Sequence, residues 1–219
     1  MNSSRAFSQG GGVMIEYLIG ATMTLLLLGG VVQCILLYKA NLHLQQATFE
    51  AARFGAVNHG NRQSMLNAFA DQLVDMHISG VSNFDFTRAF IRSHQAVHMP
   101  ILAGGAGVNL TVINPSTAAL TDFGTGNPRR IPNSWQQARA TELGERSGLS
   151  LQDANILKIT ITYAYPLQVP VLDRLIGRTL SWFDRVNSAL YLGQTVRVPI
   201  RSSAVIHMQS DYIEQGIEL

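Results

Sequence analysis

The sequence predicts an α+β protein whose long N-terminal helix, with a transmembrane half and an amphipathic half, packs on a small antiparallel sheet with additional helices. Three observations support this fold class. A long, predominantly apolar run extends from Val13 to Tyr38, helical periodicity continues beyond that run, and alternating strand patterns occupy the second half of the chain. About 160 residues follow the helix, which is enough for a separate hydrophobic core.

The apolar run has the length of a membrane span. Between Val13 and Tyr38 the clearly polar side chains are Glu16, Thr22, Thr24 and Gln33. As a helix, about 26 residues rise about 39 Å, whereas a bilayer core needs about 20 residues. We therefore predict a transmembrane helix over residues 12–38. A buried core helix is one alternative. A cleavable secretory signal is another, but its apolar region has about 7–15 residues and ends at a small-residue cleavage site. The following stretch "CILLYKANLHL" offers no such site.

The helical period continues over residues 39–57 with an apolar and a polar face. The apolar positions recur every three or four residues, and the stretch "NHGN" ends the pattern. These apolar positions are Ala40, Leu44, Ala47, Ala51 and Phe54, and the polar face carries His43, Gln46, Glu50 and Arg53. Small residues on the apolar face allow a domain to approach the helix closely.

Residues 58–219 form the predicted head domain. A second helix is expected over Arg62–Ile78 and a third over Asp85–Val97, followed by a strand that contains Val108, Leu110 and Val112. Residues 114–134 are predicted to be a long loop, and a short helical segment is expected around Trp135–Glu145. The predicted stripe of the second helix consists of Leu66, Phe69, Leu73 and Met76.

The clearest strand is "NILKITITYAYP", with Leu157, Ile159, Ile161, Tyr163 and Tyr165 on one face. The last strand, "TVRVPIRSSAVIHMQ", contains Pro199, which cannot donate to a ladder and therefore predicts an edge strand or a bulge.

Between these strands, Val171–Leu190 has a helical period. Its apolar face, with Leu172, Leu175, Trp182 and Val186, is predicted to pack on the sheet. The alternative is docking on a membrane surface, because Arg174, Arg178 and Arg185 flank this face.

Composition and motifs argue against catalysis, cofactors, metals and nucleic acid. The net charge is +2, and Arg129–Arg130 is an isolated basic pair rather than a basic face. The single cysteine, Cys34, excludes an intrachain disulfide. His94 and His98 are four residues apart, but no third ligand stands at a telling spacing. The stretches "GGAG" and "GTG" lack the strand-to-helix context of a phosphate loop. We therefore expect no enzyme, no cofactor and no metal site.

The N-terminal stretch "GGGVMIEY" carries a more specific pattern, in which a glycine is followed by four residues and then by Glu16 and Tyr17. It resembles the processing site of type IV prepilins, and the Glu-Tyr pair is similar to that of the Flp and TadE-like branch. In that family a membrane peptidase cuts after the glycine, and the glutamate is the fifth residue of the mature chain. The resemblance implies a leader of residues 1–11 and a cut between Gly11 and Gly12. Cuts after Gly10 or Gly12 are the alternatives in the triple glycine.

Blocks in the head extend the resemblance to TadE-like minor pseudopilins of tight-adherence systems. They are "VINPSTAALTDFG", "RRIPNSWQ", "SLQDANILKITITYAYPLQVPV" and the last strand. The family implies a minor pilin that assembles or initiates an Flp-type pilus, anchored in the bacterial inner membrane by a single pass. Its N-terminus would be cytoplasmic and its head extracytoplasmic. The implied partners are prepilin peptidase, other pilins and minor pilins, the inner-membrane assembly platform and membrane lipid.

Glu16 has two interpretations. A carboxylate carried into apolar surroundings needs a cation, and in a filament the Gly12 ammonium of a neighbouring subunit can supply it. In a permanently anchored assembly factor or binding module that never polymerises, Glu16 would only lie at headgroup depth.

Overall fold

The computed structural model describes residues 10–78, 80, 82–100, 105–134, 136, 141–169, 177–179, 182 and 196–214. The predicted fold class is confirmed, with a long N-terminal helix, further helices and a small antiparallel sheet. The helices are α1 (Gly10–Val57), α2 (Arg62–Gln72), α3 (Val74–His77), α4 (Asn83–His98), α5 (Thr117–Phe123) and α6 (Leu151–Ala154). The strands are β1 (Asn109–Asn114), β2 (Arg130–Ile131), β3 (Ile156–Pro166), β4 (Arg197–His207) and β5 (Tyr212–Ile213).

The chain divides into two compact units. The first contains the described residues up to Tyr38 together with those from Pro166 to Arg197. The second contains Lys39–Tyr165 and the described residues from Val198 onward. The sequence patterns, by comparison, predict a single head domain over residues 58–219.

Helix α1 has 48 residues and rises about 72 Å. This helix, near the N-terminus, is long and apolar enough to cross a membrane by length and composition. Most of its large apolar side chains before Tyr38 are exposed. The helix ends at Val57, as "NHGN" predicts, because His59 and Gly60 adopt positive φ angles of 58° and 75°.

The core of the second unit is built on the small residues of α1. Ala40, Leu44, Ala47 and Ala51 are buried as predicted. The prediction for Phe54 is wrong, because its side chain is 52% exposed. The buried line instead reaches Gly55 and Ala56. A Cβ on Gly55 would lie 2.6 Å from Met65 Sδ and 3.0 Å from Leu157 Cδ2, so α1 approaches α2 and β3 closely at this glycine.

The predicted second helix is divided at Leu73 into α2 and α3. Asn61 caps α2, since its Oδ1 accepts a hydrogen bond from the Ser64 N–H at 2.9 Å. The buried face of α2 consists of Met65, Ala68, Phe69 and Ala70, whereas Leu66 and Met76 of the predicted stripe are only half-buried. Helix α4 begins at Asn83, two residues before the predicted start, because Ser82 and Asp85 form a capping box.

The main sheet has the order β1-β3-β4 with β3 in the centre. Strands β1 and β3 are antiparallel, and Leu110 pairs with Ile161. All five residues predicted for the inner face of β3 are buried: Leu157, Ile159, Ile161, Tyr163 and Tyr165. Strand β4 lies at an edge, as the position of Pro199 predicted.

Two predictions for residues 114–145 are wrong. The predicted loop over residues 114–134 contains a helix and a strand. The helix is α5, whose N-terminus is capped by Ser116 Oγ, and the strand is β2, which pairs with β5. This helix has only seven residues, shorter than the window over which periodicity is recognised. The predicted helix around Trp135–Glu145 is absent over residues 141–145, which form turns and a bridge between Leu143 and Ser150. Trp135 and residues 137–140 lie outside the described residues.

The predicted packing of Trp182 on the sheet is also wrong. Of the segment Val171–Leu190, the structure describes residues 177–179 and Trp182, all helical, and the Trp182 side chain is 86% exposed. Leu172, Leu175 and Val186 lie outside the described residues.

Candidate processing and assembly site

The predicted cleavage site lies at the N-terminal edge of the described part of α1. Residues 10–12 are three consecutive glycines, all helical, and the predicted cut falls between Gly11 and Gly12. Each glycine in a helix interior is about 1 kcal/mol less favourable than alanine. A Cβ on Gly12 would meet nothing within 4 Å. Intrinsic preference therefore holds these glycines only weakly in a helix, and the helix surface at Gly12 is open.

Glu16 and Tyr17 are exposed on α1 just beyond these glycines. Glu16 lies four residues after Gly12, about 6 Å along the helix axis. Throughout the described part of the chain, no basic group lies within ion-pair distance of Glu16. Tyr17 is 78% exposed. The four predicted site residues, Gly11, Gly12, Glu16 and Tyr17, thus lie within two turns of one helix, and the carboxylate has no cation among the described residues of its own chain.

A line of exposed apolar side chains runs along α1 with a period of seven residues. It consists of Leu28, Ile35, Leu42 and Phe49, which are 54%, 60%, 48% and 48% exposed. Because seven residues are close to two helical turns, these side chains lie along one line. We call this line the apolar seam. It was missed in the sequence because Leu42 and Phe49 belong to neither face of the predicted amphipathic pattern.

Gln33 is the one long polar side chain of the apolar run that α1 buries, with 2% exposure. Its Oε1 accepts hydrogen bonds from the backbone N–H groups of Gln168 at 3.2 Å and Val169 at 3.0 Å. Its Nε2 is buried without a partner among the described groups. The backbone just after β3 is therefore fixed to the helix at Gln33. Its position in the run was noted from the sequence, but no local pattern could identify a partner 135 residues away.

The histidines considered as metal ligands are engaged in helix packing. His94 Nε2 lies 3.0 Å from Asp71 Oδ1, which connects α4 to α2. The His94 and His98 rings stack with centroids 5.7 Å apart. Partial burial lowers the pKa of His98, and the adjacent His94 lowers it further. Among the residues that the structure describes, no three His, Cys, Asp or Glu side chains are placed to hold a metal ion.

Asp122 lines an open pocket of about 380 Å³ between residues 121–123 and 142–146. Its carboxylate accepts hydrogen bonds from the backbone N–H groups of Arg146 at 3.1 Å and Ser147 at 2.7 Å. Hydrogen bonding by the Ser147 side chain is the main cause that lowers the pKa of Asp122, and these backbone donors add to it. The carboxylate therefore stabilises its own loop.

Arg129 and Glu214 form a two-point ion pair beside the β2–β5 ladder. Arg129 Nε and Nη2 donate to the two Glu214 oxygens at 2.9 and 2.7 Å. Hydrogen bonding and charge from Arg129 lower the pKa of Glu214. This ion pair connects the residue after β5 to the residue before β2, and its role is therefore structural.

Comparison of the chain with protein-family models, with characterised proteins and with solved structures gave no significant match.

Proposed function

We propose that the chain is a minor pilin that assembles or initiates a type IV pilus of the Flp type and is processed by a prepilin peptidase. The observation that carries this proposal is the apolar seam of α1. Twenty residues from Val13, enough for a bilayer core, end at Val32. Leu42 and Phe49 lie about 15 and 26 Å further along the helix, and both are half exposed.

A membrane anchor does not need apolar side chains on its outer face beyond the bilayer. A row of exposed apolar side chains on one helix offers a surface on which a partner can be buried, and a seven-residue repeat on a helix is suited to packing against another helix. A neighbouring pilin subunit would carry a similar long apolar helix, and that helix could pack against the seam. The seam therefore favours lateral assembly over permanent, solitary anchoring.

Glu16 has a defined part in this proposal. Cutting between Gly11 and Gly12 creates an ammonium group about 6 Å along the axis from the carboxylate. In a filament, the Gly12 ammonium of one subunit pairs with Glu16 of the next. Tyr17 lies beside Glu16 on an exposed surface of the same helix. The proposed partners are the peptidase, other pilins and minor pilins, the inner-membrane assembly platform and membrane lipid.

The first test is the mass of the mature chain. Protein extracted from membranes and protein in sheared surface filaments should both lack residues 1–11. A chain that retains Met1 in both fractions would refute the processing. A processed chain that occurs only in the membrane fraction would favour the second candidate, an anchored assembly factor that never polymerises.

The second test is Glu16→Leu. Membrane insertion should persist, because removing a charge from an apolar run favours partitioning. Assembly should fall at least a hundredfold, because leaving one partner of a buried ion pair uncompensated costs about 3–5 kcal/mol. Glu16→Asp should be intermediate, since it keeps the charge on a shorter side chain. Glu50→Gln is the control, because it removes the other carboxylate of α1 without adding an apolar side chain beside Phe49 of the seam, and the exposed Arg53 pair that it breaks contributes little. Normal filaments from cleaved, inserted Glu16→Leu protein would show that the carboxylate is dispensable.

A further inference from the structure

The outer face of α4 combines large apolar side chains with two arginines. Phe84, Arg88 and Ile91 follow the i, i+4, i+7 spacing of one helix face, and Arg92 lies beside them. Phe84 is 68% exposed and Ile91 is 49% exposed, and both arginines are exposed. The guanidinium carbon of Arg88 lies 5.6 Å from the centroid of the Phe84 ring, so charge and ring form one surface. We call these four residues the α4 face.

The α4 face is not used to hold the helix in the fold. Helix α4 packs on α2 and α3, and its buried residues are Ala89, Ser93, Ala96 and Val97. Among the residues that the structure describes, no carboxylate lies within ion-pair distance of Arg88 or Arg92. Aromatic side chains and arginines are the residue types enriched at protein–protein interfaces. The composition of the α4 face is therefore that of a contact surface.

A surface of complementary composition lies at the open pocket beside α5. Leu143 is 69% exposed there, and Glu145 is exposed two residues later. In the described part of the chain, no basic group lies within ion-pair distance of Glu145. The charged residues that line the pocket are three carboxylates and one guanidinium, namely Asp122, Glu142, Glu145 and Arg146. The pocket is therefore acidic, and it presents an exposed apolar side chain.

We propose that the α4 face of one copy of the chain docks on the acidic pocket of a second copy. The two surfaces match in charge, because two arginines meet a pocket of net negative charge. They also match in polarity, because Leu143 offers an apolar group to Phe84 and Ile91. Both surfaces lie in the unit that contains Lys39–Tyr165.

This contact is heterologous, because it joins two different patches of the same chain. A pair of copies keeps a free α4 face on one member and a free pocket on the other, and it can therefore add further copies. The inference does not rest on the proposed function, since the contact uses neither the apolar seam nor the processing site. It applies equally to a filament subunit and to an anchored factor.

Sedimentation velocity of the full-length chain in detergent micelles tests the contact by charge reversal. Every chain in the test carries Leu42→Ser/Phe49→Ser, so that the seam does not contribute to association. In this background the chain should self-associate. Arg88→Glu/Arg92→Glu and Glu145→Arg should each weaken the association at least about tenfold, because like charges then face each other. An equimolar mixture of the two variants should regain association, since the intact pocket of the first accepts the intact α4 face of the second.

Phe84→Ser/Ile91→Ser removes the apolar part of the contact without a change in charge and should also weaken association. Arg130→Glu/Arg201→Glu is the matched control, because it reverses two exposed arginines of the same unit outside both surfaces. It should leave association unchanged. All the substituted side chains of the contact are exposed, so thermal melting should be the same in every variant.

Three results would overturn the inference. The first is a background chain that stays monomeric, and the second is an equal loss of association in the arginine control. The third is association that is lost in Arg88→Glu/Arg92→Glu but persists in Glu145→Arg, which would show that the α4 face docks elsewhere. None of these results bears on the mass of the mature chain or on the seam, so this inference and the proposed function fail separately.

Discussion

Replacing the outer part of the apolar seam should weaken assembly without unfolding the chain. Leu42 and Phe49 are each 48% exposed, so roughly half of each side chain remains to be buried against a neighbour. Full burial of Leu or Phe contributes about 1.5–3 kcal/mol, and the remaining half therefore contributes about 1 kcal/mol each. The double variant Leu42→Ser/Phe49→Ser should lose about 2 kcal/mol per helix contact, close to 30-fold in the association constant.

The assay compares the amount of the chain in sheared filaments and in membranes, together with the thermal melting of the purified protein. Leu44, which is 1% exposed on the opposite face, is the folding control. Leu44→Ser should lower the melting temperature, whereas the seam variant should not. Gln45→Ser/Gln46→Ser changes two exposed polar residues of the same helix and should affect neither measurement. Normal incorporation of a stably folded seam variant would refute the assembly role of the seam.

Two further predictions concern the stability of the fold. Gly55→Val should lower the free energy of unfolding by about 1–3 kcal/mol, measured by urea denaturation, because the added atoms meet Met65 and Leu157. Gly55→Ala should cost less, since improved helix propensity offsets part of the crowding. Arg129→Ala should lower the melting temperature at neutral pH. Because Arg129 depresses the pKa of Glu214, the stabilisation is present above the ordinary value of 4.5 and lost as pH falls through the lower folded value. The difference between wild type and Arg129→Ala should therefore vanish in acid, and a difference independent of pH would contradict the ion-pair explanation.

The parts of the fold that were predicted correctly have strong local patterns. Strand β3 alternates over its whole length, and every residue assigned to its inner face is buried. The buried face of α1 was evident from Ala40 to Ala51, and Pro199 correctly placed β4 at an edge. In strand β3 and helix α1, apolar side chains repeat with the period of the element, so the buried face can be predicted with little knowledge of the tertiary structure.

The predictions that failed concern short elements and long-range contacts. Helix α5 is too short to show a period, and it begins just after Pro115 in a stretch rich in turn residues. Strands β2 and β5 have two residues each and exist because they pair with one another across the chain. Of the candidate site, the spacing from Gly11 to Glu16 is local and visible in the sequence. The exposure of Leu42 and Phe49 depends on which side of α1 the rest of the protein covers, and sequence alone does not specify that side.

On the proposed function, the position of Glu16 near the start of the apolar run gives it a physical reason to act during assembly and not before it. With Val13 taken as the start of the hydrocarbon core in that proposal, Glu16 lies only about 4.5 Å inside this edge. A carboxylate at this shallow depth can reach headgroup water, so the unassembled subunit tolerates its charge. On the proposed function, entry into a filament surrounds the same carboxylate with apolar helices, where it requires the Gly12 ammonium of a neighbour. The free-energy cost of the Glu16 charge would then be small in an unassembled subunit and large in a subunit that enters the filament out of register. This difference favours subunits added in the correct register.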